Sequence, residues 1–532
     1  MNRLKSSFGK VPSIGFLVII GIILSLALAN PAMAAAKKSR FVMAIGAEYE
    51  SVDPHVKYDV PGYLPFLNMY DNLLRYQGNP PKIVPWLAEK HGVSADGMTW
   101  TFYLRKGAKF HDGTELKADA VRYSVERLLS MGKGPASAFL PIISKEDVTA
   151  KDDYTVVFKL KKPFSPFLAI IPMLAIVNPR IVKAHEKDGD WGAQWLSTNE
   201  AGSGAFVMKE WKGAAVGFLL EPFKDYWQPW PQKRLDEVEV RIIREISSVV
   251  MALKKGEVHG GQTYIPAEVV EQLQKDPNVR VEPHESMRVM VLRMNNARLP
   301  LNDKNIRKAL SHAFNYDAFI KDILKGMATR NCGPNPRNLW GYPKDAFCYD
   351  YNLEKAKEYL AKAKTKVTKP IVISYQMELI QTKIAAELFQ SELMKIGVPA
   401  EARADTWPKL VASTKTPETT PDMWIHWVST YYVDPDNWIG QMYDMANHGA
   451  WKASSWYKNE EVSGLLQKAR EVLNQAERQK LYEKASQIVV DDAVDLWVYN
   501  TTEYQPLHKS VRNFQFCPAG SGQEYRTLYM EE

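Results

Sequence analysis

The stretch Trp424-Ile425-His426-Trp427-Val428-Ser429-Thr430-Tyr431-Tyr432-Val433-Asp434-Pro435-Asp436-Asn437-Trp438 brings aromatic rings, hydroxyls and carboxylates close together. Tyr and Trp offer large rigid faces at small entropic cost, with one polar handle each. Such a loop suits recognition of a solute by stacking and hydrogen bonding. Trp427 and Tyr431 read as pocket residues, with Tyr432 beside them, the alternative being that these rings are core. Asp434-Pro435 fixes a turn, and Asp434 and Asp436 read as capping groups. Catalytic patterns are missing: there is no G-x-S-x-G elbow, H-E-x-x-H pair or Walker loop. Gly202-Ser203-Gly204 lacks the elbow spacing and reads as a turn. His284-Glu285 has no second histidine four residues on, and the 10 histidines show no metal-ligand spacing. The expectation is binding without catalysis, metal or cofactor.

The elements that must position this loop are legible as hydrophobic periodicity. Phe41–Ile45, Thr99–Leu104, Val156–Leu160, Leu235–Arg244, Val289–Asn295 and Ile371–Tyr375 read as strands. A further strand is expected to end near Trp427. Ala118–Leu129 reads as a helix with Val121, Val125, Leu128 and Leu129 on one face. Lys117 precedes it and offers no capping oxygen. Ser247–Gly256 and Lys383–Ile396 read as further helices, and Asn459–Ala493 reads as helical, with Val462, Leu465, Leu466, Ala469, Val472 and Leu473 on one face. Alternating strands and helices predict α/β lobes with mixed sheets. A chain of 532 residues is too long for one core and suits two or three domains.

The N-terminus sets the compartment. Arg3, Lys5 and Lys10 precede an apolar run from Ile14 to Ala29, and Ala32-Met33-Ala34 fits a small-x-small cleavage pattern. Residues 1–34 therefore read as a cleaved secretory signal peptide, too short in its apolar part for a spanning helix. No cysteine sits at the cleavage point, so a freely soluble exported protein is expected. Losing Arg3, Lys5 and Lys10 with the leader takes the net charge from +7 to +4. That weak balance, without a basic run, gives no reason to expect nucleic acid or a membrane surface as partner. In an oxidising compartment, Cys332 and Cys348 bracket a Gly/Pro/Asn-rich loop and are the preferred disulfide over any pairing with Cys517; three free thiols are the alternative. Closing such a loop is worth roughly 3 kcal/mol in the chain-entropy model.

The run Tyr70-Asp71-Asn72-Leu73-Leu74, Ile83-Val84-Pro85-Trp86-Leu87-Ala88-Glu89, Asp96-Gly97-Met98-Thr99-Trp100 through Arg105, and Phe110-His111-Asp112-Gly113-Thr114 resembles the signature region of the extracytoplasmic solute-binding proteins, family 5, of peptide/nickel-type ABC importers. That resemblance implies a fold like the type II periplasmic binding proteins: two main lobes with mixed sheets joined by a hinge, plus an inserted lobe. The implied division is a first lobe in residues 35–80, 189–286 and 504–532, an inserted second lobe in 81–188, and a third lobe in 287–503. It implies a monomer in the periplasm that closes on a peptide or peptide-like solute and delivers it to a two-subunit permease with a separate ATPase. A non-peptide solute (oligosaccharide, opine or nickel chelate) and a secreted enzyme on the same scaffold are the alternatives. Trp427, Tyr431 and Tyr432 would line the cleft from the third lobe and Tyr49 from the first, with Trp407 and Gln376 as further candidates.

The chain departs from the dipeptide-binding members of that family. Those place an Asp before the Asp-Pro for the peptide ammonium and an Arg after a strand for its carboxylate. Here the first position falls on Tyr431 or Thr430 and the second on Gln376, with no Arg nearby. A buried terminal charge without a partner costs several kcal/mol, so a simple dipeptide is a poor fit.

Overall fold

The structure is a computed structural model that describes residues 38–57, 66–261, 265–519 and 524–531. The expected leader, 1–34, lies outside the described residues. Arg40–Glu532 fold as one unit.

Strand Arg40–Ile45 opens a four-stranded sheet in which it runs parallel to Glu237–Ile242; Gly217–Pro222 and Phe206–Gly213 complete the sheet in antiparallel order. Phe41 and Met43 point into the first-lobe core with Phe206, Phe218 and Val240. Val42 and Ala44 face the other way, onto Val249 and Leu253 of helix Ile246–Lys255. Tight turns hold the lobe together. A Cβ at Gly202 would stand 1.9 Å from the Met69 carbonyl oxygen, and one at Gly204 2.4 Å from that of Asn68. Only glycine permits this approach, which accounts for Gly202-Ser203-Gly204 as a turn. Leu507, Val511, Tyr525 and Leu528 pack in this core.

The second lobe is an antiparallel sheet of Ala88–Val93, Thr99–Leu104, Thr155–Lys159 and Val148–Asp152, in that spatial order. In Thr99–Leu104, Trp100, Phe102 and Leu104 are buried while Tyr103 is exposed, the alternation of a half-buried strand. Helix Ala118–Met131 covers the sheet with Val121, Val125 and Leu128, and it stops at Gly132, whose φ is 60°. Lys117 makes no capping bond and instead pairs with Asp153 at 2.7 Å. The core of this lobe draws on Leu73 to Ile176, whereas Val177 and Val182 pack in the first.

The third lobe is built on a six-stranded mixed sheet: Ala328–Arg330, Asp495–His508, Val279–Met294, Met423–Val428, Ile371–Gln376 and Ala400–Asp405. Met423–Val428 lies inside this sheet and is buried at every position. The helical stretch Asn459–Ala493 consists of two helices, Glu460–Glu471 and Gln475–Asp491. Asn474 breaks it by accepting from the Glu477 N–H at 3.0 Å, the second helix's own cap, and Leu473 is left exposed. Cys332 and Cys348 are joined by a disulfide with Cα atoms 4.9 Å apart, and Cys517 is a buried free thiol.

Two long strands, Val279–Met294 and Asp495–His508, pair antiparallel and run from the first lobe into the third. Their register slips between Glu285 and Val289, where Ser286, Met287 and Arg288 face a single residue, Thr501. Ser286 Oγ donates to the Thr501 carbonyl at 2.8 Å, and Asn500 Nδ2 donates to the Ser286 carbonyl at 2.7 Å. This is a bulge, a device that bends a strand and re-aims its side chains.

Candidate functional site

The bulge turns Arg288 onto the face of Trp427, with its guanidinium 4.6 Å from the ring centre. Trp427, 8 % exposed, comes from the last turn of buried strand Met423–Val428 and donates its Nε1–H to the Tyr499 hydroxyl at 3.2 Å. That hydroxyl donates onward to Gln381 Oε1 at 3.3 Å. Burial pushes the Tyr499 phenol well above its ordinary range, so it stays neutral and serves as a hydrogen-bonding group. These residues line an open cavity of about 130 Å³ together with Ile246 and Ile265 of the first lobe. An apolar pocket with a cation laid on an aromatic ring and a few hydroxyls is suited to an apolar group next to a carboxylate.

A second, small cavity of about 50 Å³, open to solvent, is lined by residues of all three lobes. Tyr431 enters it from the third lobe, Arg75 and Gln77 from the hairpin Leu74–Gln77/Lys82–Pro85, and Phe516 and Cys517 from the C-terminal return. Tyr431 is half-buried and stacks over the Lys452 ammonium at 4.5 Å. Thr430 is buried and donates to the Met287 carbonyl at 3.2 Å, tying the loop to the bulge.

The other expected site residues fall elsewhere. Tyr49 does not face the cleft: it is 2 % exposed in the first-lobe core, edge-on to Phe218 at 5.3 Å, because its amide is drawn onto the Ala214 carbonyl at 3.1 Å. Tyr432 is 3 % exposed in the core of the second lobe, against which Tyr431 also packs, with its hydroxyl on Asp436 at 2.9 Å. Trp407 packs on Trp424 and Trp451 at 5.9 and 5.3 Å. Neither Trp407 nor Gln376 lines the two cavities. Asp434 accepts from the Asp436 N–H at 3.0 Å and pairs with Arg478 at 2.8 Å, the capping role expected. His426 is fully buried, and burial, aided by Arg293, keeps its imidazole neutral. Among the described residues no cluster of His, Cys, Asp and Glu side chains could hold a metal.

Sequence reasoning missed Arg288, Tyr499, Gln381, Arg75 and Lys452. Arg288 carried the one usable signal, a cation at the foot of the apolar strand that begins at Val289. The others reach the site only through tertiary pairing.

Residues 82–450 match the family model described as bacterial extracellular solute-binding proteins, family 5 Middle. The chain is 31% identical to the Escherichia coli K12 protein named probable D,D-dipeptide-binding periplasmic protein DdpA, covering 92% of this chain and 93% of that one. It is 29% identical to the dipeptide-binding protein of the same organism, over 85% of this chain and 87% of the relative. The structure of the periplasmic binding protein DppA from Helicobacter pylori in complex with the peptide STSA superposes with a TM-score of 0.80 at 28% identity, covering 93% of this chain and 99% of that one.

Proposed function

The chain belongs to the bacterial extracellular solute-binding proteins, family 5, and we propose that it captures a peptide-like solute between its first and third lobes and hands it to a membrane permease. The family is one of solute-binding proteins, not of enzymes. The strand pair Val279–Met294/Asp495–His508 serves as the hinge, and the bulge at Ser286–Arg288 is its pivot. An open form admits the solute, and closure buries it against Arg288 and Trp427. Residues 1–34 would direct export to the periplasm, where relatives carrying that word in their names reside. A separate ATPase would supply the energy, and the exported protein would act as a monomer.

The carrying observation is the Arg288–Trp427 pair at the hinge, walled by both lobes. It supports a solute with a carboxylate beside an apolar side chain, as a peptide C-terminus presents. Peptide names among the relatives and the bound STSA peptide support the same class. A thermal-shift screen of the exported chain tests it. Peptides ending in an apolar residue should raise the melting temperature, by about 2.7 kcal/mol of stabilisation at a hundredfold excess over Kd. A response confined to sugars or metal chelates contradicts the reading.

A further inference from the structure

Strand Asp495–His508 brings to the Arg288 cavity a hydroxyl that no described residue uses. Thr501 lines that cavity with Arg288, Trp427 and Tyr499. Its strand is held on both sides. Ala328 pairs with Thr501 on one, and the bulge Ser286–Arg288 lies opposite it on the other. Ser286 Oγ accepts from the Arg288 N–H at 3.2 Å while donating to the Thr501 carbonyl at 2.8 Å, so one hydroxyl ties the backbones of Arg288 and Thr501 together. Two residues back along the strand, on the same face, the Tyr499 hydroxyl accepts from Trp427 and donates to Gln381. Thr501 Oγ1 differs: it is buried and, among the described residues, has no hydrogen-bond partner.

An unpaired buried hydroxyl costs free energy, and folded proteins keep few of them. Threonine is stiff at χ1, and a strand held from both sides fixes where that hydroxyl sits before a solute arrives. A solute oxygen that accepts from it offsets the cost. A carboxylate accepts more strongly than a neutral amide, and Arg288, tied to the same stretch of backbone, brings the opposing charge. We propose that Thr501 is a solute-binding residue that donates from Oγ1 to the carboxylate drawn in by Arg288, so that the pair selects a free C-terminal acid over a carboxamide. The inference rests on the peptide reading above and adds the residue that reads the solute's acid group.

Isothermal titration of the exported chain with the peptide Ala-Ala-Leu and its C-terminal amide tests it. The acid should bind at least about tenfold more tightly than the amide. Thr501→Val keeps the shape and removes the hydroxyl; it should weaken the acid by about tenfold and the amide by about threefold or less. Thr501→Ser should return the acid to within about threefold of the unaltered protein. Circular dichroism checks folding, and Thr501→Ala replaces the Val variant should that one fail to fold. Undiminished binding of the acid by Thr501→Val, or an equal loss for acid and amide, overturns the inference and leaves the peptide reading standing. Binding of neither probe by the unaltered protein overturns the peptide reading, and the inference with it.

Discussion

Arg288 gains its place from a three-residue bulge, and it meets Trp427 from a strand more than a hundred residues away in sequence. Its planar guanidinium can lie on the indole and still present edge donors to a carboxylate, which a lysine cannot do. Arg288→Ala should weaken solute binding by about tenfold or more, and Arg288→Lys should recover only part of that, as calorimetric titration would read. Lys452 makes a separate prediction through its titration. Burial lowers its ammonium to about 7, with Asp436 pulling the other way. Between that value and the ordinary lysine range the unfolded chain binds more protons than the folded one, so stability rises with pH across that interval. Below about pH 7 the cost of burying the charge is fully present. Lys452→Met should therefore stabilise the protein by about 2 kcal/mol near pH 6 and flatten the rise toward about pH 10. Urea unfolding at both ends of that range measures it, and an unchanged slope would speak against a buried charge.

At the scale of elements, much was legible because local pattern and burial agree. Thr99–Leu104 and Ala118–Met131 follow their alternation and their helical stripe. Asp71 shows why the signature run matters: it is buried and accepts from Trp86 Nε1 at 2.7 Å, the Tyr226 hydroxyl at 3.0 Å, Ser203 Oγ at 3.2 Å and Trp227 Nε1 at 3.3 Å. That run joins the second lobe to the first and lines little of the site. The hinge strand was read as Val289–Asn295 because the polar residues Arg280, Glu282, His284 and Glu285 hide its first half. Two glycines give opposed predictions. Gly204→Ala forces a Cβ into the Asn68 carbonyl and should cost more than about 3 kcal/mol. Gly464, inside helix Glu460–Glu471 with nothing within 4 Å of its missing Cβ, should become stabilising as Ala by about 0.5–1 kcal/mol. Chemical denaturation of the two variants distinguishes a required turn from a tolerated helical glycine.

Over the whole molecule, the second lobe clasps the third as well as the first. Ser165 donates its N–H to the Arg470 carbonyl at 2.6 Å and its hydroxyl to the same oxygen at 2.9 Å, at the C-terminal end of helix Glu460–Glu471. The Tyr76 hydroxyl accepts from the Val433 N–H at 3.0 Å and donates to the Ala169 carbonyl at 2.7 Å. Tyr432 is sunk in the second-lobe core, and its half-buried neighbour Tyr431 packs against that core and lines the small cavity beside it. Contacts of this kind tie the second lobe to the third. Tyr432→Ala should lower affinity several-fold, on the order of 1 kcal/mol or more, by favouring the open form, and small-angle scattering should show a larger radius of gyration without solute. The family could be read from sequence because it rests on local motifs. The proposed site could not, because Tyr49 folds inward at a strand end while Arg288 arrives from a distant segment. The central claim is that a peptide-like solute binds between the lobes on Arg288 and Trp427. Native mass spectrometry of the exported chain against a mixed pool of peptides, oligosaccharides and metal chelates, beside its Arg288→Ala variant, tests it most directly. The unaltered protein should carry a one-to-one peptide adduct that the variant loses. Adducts of sugars or chelates only, or a peptide adduct that survives in the variant undiminished, would contradict it.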